Sequence, residues 1–359
     1  MRHVFTPPAP FATERGEAVP DLRIAYRTWG RLAPDGANAV VVGHALTGTT
    51  DAAGWWGGLV GPGRPLNPAR HFIVCAGALG ACDGTTGPGT LDARGRRLGT
   101  RFPRVSIRDM ARAHALLLRH LGVTRVALAA GGSMGGMQML ELALVGALGE
   151  ADPGSGPGHA APPVDRLLLI GMGAAHSPWQ IGISEAQRLA VAADPRWCGG
   201  DFDALAPPVA GLAAARAAAM MTYRSPVLVG ERFGRRRQPD GAHAGAYAVE
   251  SYLRHQGRRL VERFDAGAYV RLTEAMDDHD VDRGRAPDPL ARLAADALCV
   301  GIASDVLYPP GESEVLAARL PRGRFVRWDS PFGHDAFLAD AAGLARLAHP
   351  FFLATDFLR

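Results

Sequence analysis

Short apolar runs recur along the 359-residue chain and alternate with longer segments whose apolar residues repeat at helical spacing. The runs are rich in β-branched residues and end in Gly, Ser, Asp or Asn, which is typical of strands buried on both faces of a parallel sheet. Runs of this kind occupy residues 38–46, 71–79, 124–132, 165–173, 297–305 and 323–330. An earlier segment, 21–30, alternates apolar and polar residues and predicts an antiparallel strand.

Helical patterns lie between these runs. In the segment 106–122, Met110, Ala113 and Leu117 fall on one helical face, and Gly122 ends the pattern. Regular alternation of strands and helices predicts an α/β fold with a doubly wound, mostly parallel central sheet.

One interval breaks this alternation. Residues 176–289 separate two predicted strands, and the stretches within it, such as 248–264, are mostly helical in pattern. A structureless loop of this length is implausible inside a compact domain. We therefore expect residues 176–289 to form an inserted helical lid over the carboxyl edge of the sheet, where open α/β sheets bind ligands. The core would then consist of residues 1–175 and 290–359.

The charge balance argues against a nucleic-acid partner. The formal net charge is only +4, and the 39 basic residues are scattered among 35 acidic ones. All of the basic residues are arginines, because the chain contains no lysine. This absence excludes Schiff-base chemistry on a lysine and the lysine of a phosphate-binding loop.

Cysteine usage and hydropathy predict a protein of the cytoplasm. The four cysteines form no C-x-x-C pair, and a chain of this length does not need disulfide staples. The first residues contain no apolar signal region, and no apolar run approaches the roughly 18 residues needed to span a bilayer. We expect free thiols and no membrane association.

Ser133 is the candidate nucleophile. The stretch GGSMG, residues 131–135, fits G-x-S-x-G and lies between a predicted strand and a predicted helix, as that motif requires. A tight strand-to-helix turn needs small neighbours, and it would project the serine Oγ toward the positive end of the helix. The alternative is a packing turn that contains an incidental serine, and the strand–helix context favours the nucleophile.

A serine needs a base and an acid, which follow in the order Ser, Asp or Glu, His in folds with this turn. Asp305 ends a late predicted strand, and His334 follows the last one. Asp329 is a competing acid, but it belongs to the last strand itself, and His349 falls in a terminal helical pattern. We predict a triad of Ser133, Asp305 and His334.

Two backbone amides are needed to stabilise an oxyanion. The amide of Met134, directly after the serine, is the first candidate. The second is the amide of Leu46, in the loop that follows the strand predicted at 38–46. His44, at the end of the same strand, is predicted to hold this loop rather than to act as a base.

Several motifs together resemble the homoserine O-acetyltransferases of methionine biosynthesis. They cover residues 20 to 340 in order, and comprise GHALTG, GWWGGLVGPGRPLN, HFIVCAGALGACDGTTGP, RFPRVSIRDM, GGSMGGMQ, MTYRSP, VESYLRHQG, RFDAGAYVRLTEAMDDHDV, SDVLYPP and GHDAFL. The resemblance implies an α/β-hydrolase fold with a helical lid, and a homodimer formed through that lid. It also implies transfer of an acyl group from an acyl-CoA to an amino-acid side-chain hydroxyl.

The resemblance also implies residue roles. Ser133, Asp305 and His334 fall on the triad of the family, and Leu46 and Met134 on its oxyanion amides. Two further residues fall on its substrate site, where Arg216 would hold the amino-acid carboxylate and Asp335 its ammonium group. Without the resemblance, Arg216 would read as a solvated arginine of an alanine-rich helix and Asp335 as a loop cap.

The expected reaction moves an acetyl group from acetyl-CoA to L-homoserine through an acetyl-serine intermediate, with no metal or redox cofactor. The threonines of DGTTGP (83–88) are more typical of acetyl-using than of succinyl-using members. Asp83 and the Gly/Pro-rich insertion at 150–163 depart from the usual pattern. Three alternatives stay open: a succinyl-CoA or serine-acylating relative, a plain esterase, and a scaffold without catalytic activity.

Overall fold

The computed structural model describes residues 1–150, 161–240 and 244–354, so most of the 150–163 insertion lies outside the described residues. Eight strands form the main sheet in the order β1-β4-β6-β5-β7-β8-β9-β10, and β2 pairs with β3 in a small separate hairpin. The strands are β1 His3–Phe5, β2 Phe11–Ala12, β3 Ala18–Val19, β4 Ile24–Trp29, β5 Ala39–Gly43, β6 Phe72–Ala76, β7 Val126–Gly132, β8 Arg166–Ile170, β9 Asp296–Ile302 and β10 Gly323–Trp328.

The sheet is parallel from β6 to β10 and antiparallel at one edge. The strands β5, β6, β7, β8, β9 and β10 pair in parallel, whereas β4 runs antiparallel to both β1 and β6. Every strand predicted from the apolar runs is present, and the segment 21–30 contains the predicted antiparallel strand. The short first strand β1 has no counterpart among the predictions.

Helices cover both faces of this sheet. They are α1 Ala52–Trp55, α2 Ile107–His120, α3 Met134–Leu148, α4 Pro178–Ala192, α5 Val209–Tyr223, α6 Pro226–Phe233, α7 Ala248–Val261, α8 Ala266–Asp277, α9 Pro310–Arg319, α10 Ala336–Ala339 and α11 Ala341–Ala354. Successive residues of each central strand face opposite sides. In β5, Val41 belongs to the buried cluster that includes residues of α2, α3 and α9, whereas Val40 and Val42 belong to the cluster that includes residues of α1, α10 and α11. The uninterrupted apolar runs are thus explained by burial on both faces.

The helices α4–α8 all lie between β8 and β9, in the interval that the sequence predicts as a lid. Within this segment, α5 packs against both α4 and α7. A Cβ on Gly257 of α7 would lie only 2.8 Å from the Ala213 carbonyl oxygen of α5, so a side chain there would force these two helices apart. The boundaries 176–289 of a functional lid stay a prediction.

None of the helices in the described ranges is both long and apolar enough to cross a membrane.

Candidate active site

Ser133 lies on a strained turn between β7 and α3. Its backbone has φ 55° and ψ −132°, a combination that L-residues rarely adopt. The turn is fixed on both sides, since the Ser133 amide donates to the Ile170 carbonyl at 2.9 Å and its carbonyl accepts from the Met137 amide at 3.1 Å. This is the conformation expected of a serine presented as a nucleophile at the edge of the sheet.

The glycines around Ser133 are required by close packing. Gly135 lies directly against the backbone of Gly43, at the end of β5, so that no side chain fits between them. A Cβ on Gly132 would lie 2.7 Å from the ring of Phe337. The motif therefore allows α3 to approach the neighbouring strand closely and brings the serine near the loop that follows that strand.

His334 and Asp305 meet at the same edge of the sheet. The Nδ1 atom of His334 lies 2.6 Å from Oδ2 of Asp305, and both side chains are buried. The other oxygen of Asp305 accepts the amide protons of Leu307 and Tyr308, each at 2.9 Å, which fixes the carboxylate plane.

The rejected candidates lie elsewhere. Asp329 and His349 are both solvent-exposed, and the hydrogen bond between His334 and Asp305 leaves no role for either in this pair. The structure thus brings the acid and the base chosen from strand order into contact, and their catalytic roles stay a prediction.

The surroundings of His334 favour its protonated form. Burial acts to lower the pKa of His334, but the charge and hydrogen bond of Asp305 outweigh it, and the pKa is raised above its ordinary value with Asp335 acting in the same direction. Three aromatic rings also surround the imidazole, those of Tyr308, Tyr223 and Phe337, with centroids 5.0, 6.0 and 5.6 Å away.

Ser133 and His334 line one cavity of about 360 Å³. Among the residues that the structure describes, no direct hydrogen bond joins the serine hydroxyl to the imidazole. Such hydrogen bonds are often long or misaligned before substrate binds, and we expect this one to form in the substrate complex.

The loop after β5 brings a second amide to this cavity. Leu46 lines the same cavity as Ser133, Met134 follows Ser133 directly in the sequence, and neither amide has a backbone hydrogen-bond acceptor among the described residues. Two free N–H groups beside a nucleophile have the arrangement needed to bind an oxyanion.

His44 holds this loop, as the sequence predicts. Its Nε2 atom accepts the Ala78 amide proton at 2.9 Å, so the proton of the neutral ring lies on Nδ1 and is donated to the Ala45 carbonyl at 2.8 Å. Gln138 of α3 adds a link by donating to the His44 carbonyl at 3.2 Å. Burial lowers the pKa of His44, which keeps the ring neutral in this role.

Charged side chains also line this cavity. Arg216 of α5 projects there, and its Nη1 atom is buried without a hydrogen-bond partner in the described part of the chain. Asp335 lines the same cavity and forms an ion pair with Arg224, at 3.1 Å. Burial raises the pKa of Asp335, although the charges of Arg224, His334 and Arg216 oppose the shift. The structure thus brings both predicted substrate-site residues to the cavity of Ser133.

The α/β-hydrolase fold family model matches residues 38–341. The homoserine O-acetyltransferase of Chlorobium chlorochromatii is 44% identical over 351 residues, which cover 97% of this chain and 94% of the relative. The homoserine O-acetyltransferase of Salinibacter ruber is 46% identical over 96% of this chain and 95% of the relative. The chain belongs to the homoserine O-acetyltransferase family.

Solved structures share the fold of this family. The homoserine O-acetyltransferase from Bacillus anthracis superposes with a TM-score of 0.85 at 21% identity, covering 98% of this chain and 97% of that one. The esterase E22 superposes equally well, with a TM-score of 0.85 at 22% identity, covering 98% and 99%. The same scaffold therefore carries both transferases and hydrolases, and the fold alone does not distinguish them.

Sequence reasoning missed several residues that support this homoserine O-acetyltransferase family site. Asp83 accepts hydrogen bonds from both the amide and the hydroxyl of Thr50, at 2.7 and 2.9 Å, and so anchors the loop that carries Leu46. Ser304 donates to the Ser330 carbonyl at 2.5 Å and accepts the Gly333 amide proton at 3.0 Å, which fixes the turn before His334. The unusual acidic residue in the 79–88 loop was the one signal visible in the sequence.

Proposed function

We propose that this protein transfers an acetyl group from acetyl-CoA to the side-chain hydroxyl of L-homoserine, through an acetyl-serine intermediate on Ser133. The observation that carries the proposal is the pairing of opposite charges beside the nucleophile. Arg216 offers an unpaired, buried guanidinium nitrogen, and Asp335 offers a carboxylate in the same cavity. An amino acid carries a carboxylate and an ammonium group, which these two side chains would bind.

In the first half-reaction, His334 takes the hydroxyl proton of Ser133 while Oγ attacks the thioester carbonyl carbon. The amides of Leu46 and Met134 stabilise the resulting oxyanion. Collapse of this tetrahedral species breaks the C–S bond, and the leaving sulfur takes the proton from His334 to give free CoA thiol. Asp305 holds the imidazole in the required tautomer and stabilises its charged form.

In the second half-reaction, the hydroxyl of homoserine attacks the acetyl-serine ester. His334 removes the proton of that hydroxyl, and the oxyanion forms again between the same two amides. When the ester bond breaks, Ser133 recovers its proton from His334 and O-acetylhomoserine leaves. Binding at Arg216 and Asp335 would align the acceptor hydroxyl and favour it over water.

An esterase is the main alternative, because esterase E22 has the same fold. An esterase needs the triad and the oxyanion amides but has no use for an arginine with a buried, unpaired guanidinium nitrogen beside its nucleophile. The relatives at 44–46% identity are homoserine O-acetyltransferases, which also supports the transferase.

The identity of the acyl group rests on these relatives. The threonines of DGTTGP serve structural bonds, since Thr85 accepts from the Ala25 amide at 3.0 Å and Thr86 accepts from the Arg23 amide at 2.8 Å. They hold the loop to the antiparallel edge of the sheet, and neither lines the cavity of Ser133. The preference for acetyl over succinyl that these threonines indicate in the sequence therefore does not come from contact with the acyl group.

A homodimer formed through the helical segment α4–α8 belongs to the same proposal. Several large apolar side chains on this segment are exposed, among them Trp179, Leu189, Met221 and Val227. Exposed apolar side chains of this size can be buried by a protein–protein contact, and we assign that contact to this segment.

The test is a matrix of acetyl-CoA, succinyl-CoA, homoserine, serine and water, with release of CoA thiol as the readout. We expect rapid thiol release only with acetyl-CoA and homoserine, and none from a Ser133→Ala variant. Thiol release that homoserine does not accelerate would overturn the transferase and leave the esterase. Faster release with succinyl-CoA or with serine would overturn the assigned donor or acceptor.

A further inference from the structure

A second series of hydrogen-bonded side chains, formed by Tyr308, His176 and Asp277, ends beside the base His334. The ring of Tyr308 is stacked on the imidazole of His334, with centroids 5.0 Å apart and an interplanar angle of 26°. The phenol oxygen of Tyr308 lies 2.5 Å from Nε2 of His176, and Nδ1 of His176 lies 3.2 Å from Oδ1 of Asp277. His176 and Tyr308 are both buried. None of these contacts belongs to the triad, but the ring of Tyr308 lies against the triad histidine.

Asp277 determines which group donates in each hydrogen bond of this series. Its other oxygen pairs with Arg188 at 2.7 Å, which fixes the carboxylate in place beside His176. The carboxylate accepts a hydrogen bond from the N–H at Nδ1 of His176, so that Nε2 of the neutral ring carries the lone pair. The short contact is then a hydrogen bond in which the Tyr308 hydroxyl donates to His176.

This direction has two consequences for the reacting groups. The side chain of Ser133 is also a hydrogen-bond neighbour of the Tyr308 phenol. Because the Tyr308 proton is donated to His176, the phenol oxygen can accept a hydrogen bond from Ser133 but does not donate one to it. Donation of the proton to an imidazole also shifts electron density toward the phenol oxygen and its ring. The face of that ring lies against His334, and an electron-rich aromatic face stabilises a neighbouring cation.

We propose that His176, oriented by Asp277, is a positioning residue that acts through Tyr308 to stabilise the protonated form of His334 during acyl transfer. This inference rests on the proposed acyl-serine function, since it concerns the base of that reaction.

Other groups face the same two imidazoles, and the test must separate them. Asp305, Asp335 and Tyr223 face His334 from the remaining sides. His279 lies beside His176, whose amide donates to the His279 carbonyl at 2.9 Å. The ring of His279 is buried and contacts the backbone of Gly173, and it forms no side-chain hydrogen bond with Tyr308 or His176 among the described residues. His279 therefore serves as a matched control, because it is a buried histidine next to His176 that is not part of the hydrogen-bonded series.

The experiment measures acetylation of Ser133 by p-nitrophenyl acetate, as the rate of the nitrophenol burst across pH, because this step needs neither CoA nor homoserine. We expect His176→Leu and Tyr308→Phe each to slow acetylation about tenfold, as for loss of one well-placed hydrogen bond. We also expect the acidic limb of the profile to move down by about 0.5 pH unit, because the imidazolium loses stabilisation. His176→Gln keeps an acceptor for the tyrosine proton and should restore most of both losses.

The acetylation rate of the double variant His176→Leu/Tyr308→Phe should be no lower than that of either single variant, because both changes break the same series of hydrogen bonds. His279→Leu should keep the wild-type rate and profile. Additive losses in the double variant, an unmoved acidic limb, or an equal shift in His279→Leu would each overturn the inference. If His176→Leu does not fold, Tyr308→Phe and His176→Gln carry the same comparison. A wild-type protein that is not acetylated at all would instead overturn the proposed function.

Discussion

At the scale of single residues, the acceptor site rests on Arg216. Replacing it with lysine keeps the positive charge but removes the planar pair of donors that matches a carboxylate. We expect Arg216→Lys to reduce kcat/KM for homoserine about thirtyfold, which corresponds to about 2 kcal/mol. Thiol release in the first turnover with acetyl-CoA should be unchanged, because that step does not use the acceptor.

The matched control is Arg259→Lys, which changes an exposed arginine of α7 paired with Glu262 at 3.3 Å. It should leave both half-reactions at wild-type rates. An equal loss of both half-reactions in Arg216→Lys would contradict a role confined to the acceptor.

The pH dependence follows from the contact between His334 and Asp305. The base works only when the imidazole is neutral, and the raised pKa of His334 means that activity declines on acidification at a pH above the ordinary histidine value of about 6.5. Asp305→Asn removes the main cause of the rise, so the acidic limb should move to lower pH. The rate should also fall by about 10³–10⁴, by analogy with the serine-protease triad.

The measurement is kcat/KM for acetyl-CoA as a function of pH, and Asp329→Asn is the control because that aspartate is exposed. A limb that moves in Asp329→Asn, or stays in place in Asp305→Asn, would show that the acid has been assigned wrongly.

At the scale of elements, the contact between β7 and α10 depends on the absence of a side chain at Gly132. A Cβ there would lie 2.7 Å from the Phe337 ring, which follows His334 by three residues. We expect Gly132→Ala to destabilise the protein by about 1–3 kcal/mol through overpacking, and to lower activity by displacing the serine turn or the histidine turn. Thermal unfolding together with thiol release measures both effects.

Gly182→Ala provides the opposite case. Gly182 lies within α4, and a Cβ there would meet no atom within 4 Å. Alanine should therefore stabilise this helix by about 0.5–1 kcal/mol. Equal thermal shifts in the two variants would contradict the packing argument.

The strands and helices also show which features could be predicted from the sequence. The strands, the helix at 106–122 and the order of Ser133, Asp305 and His334 follow from local patterns, because burial on two faces and the serine turn leave local signatures. The contact between Tyr308 and His176 joins residues 132 positions apart and depends on how α4 and α8 are placed over the sheet. No periodicity or motif encodes such a contact, so it could be found only in three dimensions.

At the scale of the whole molecule, the exposed apolar surface of the segment α4–α8 predicts a dimer. Val227 on α6 has 65% of its surface exposed, and Val315 on α9, outside this segment, has 61%. If two copies associate through the helical segment, Val227→Asp would bury an unpaired charge in the contact, whereas Val315→Asp would leave the charge in water. Sedimentation velocity should give a dimer for the wild type and for Val315→Asp, and a dissociation constant at least tenfold higher for Val227→Asp. Dissociation by Val315→Asp, or a wild-type monomer, would place the contact elsewhere or remove it.

Because α5 carries Arg216 and packs beside the turn of His334, a dimer through these helices would also restrain the wall of the acceptor site. The Val227→Asp monomer should therefore retain acetylation of Ser133 and lose part of its transfer to homoserine.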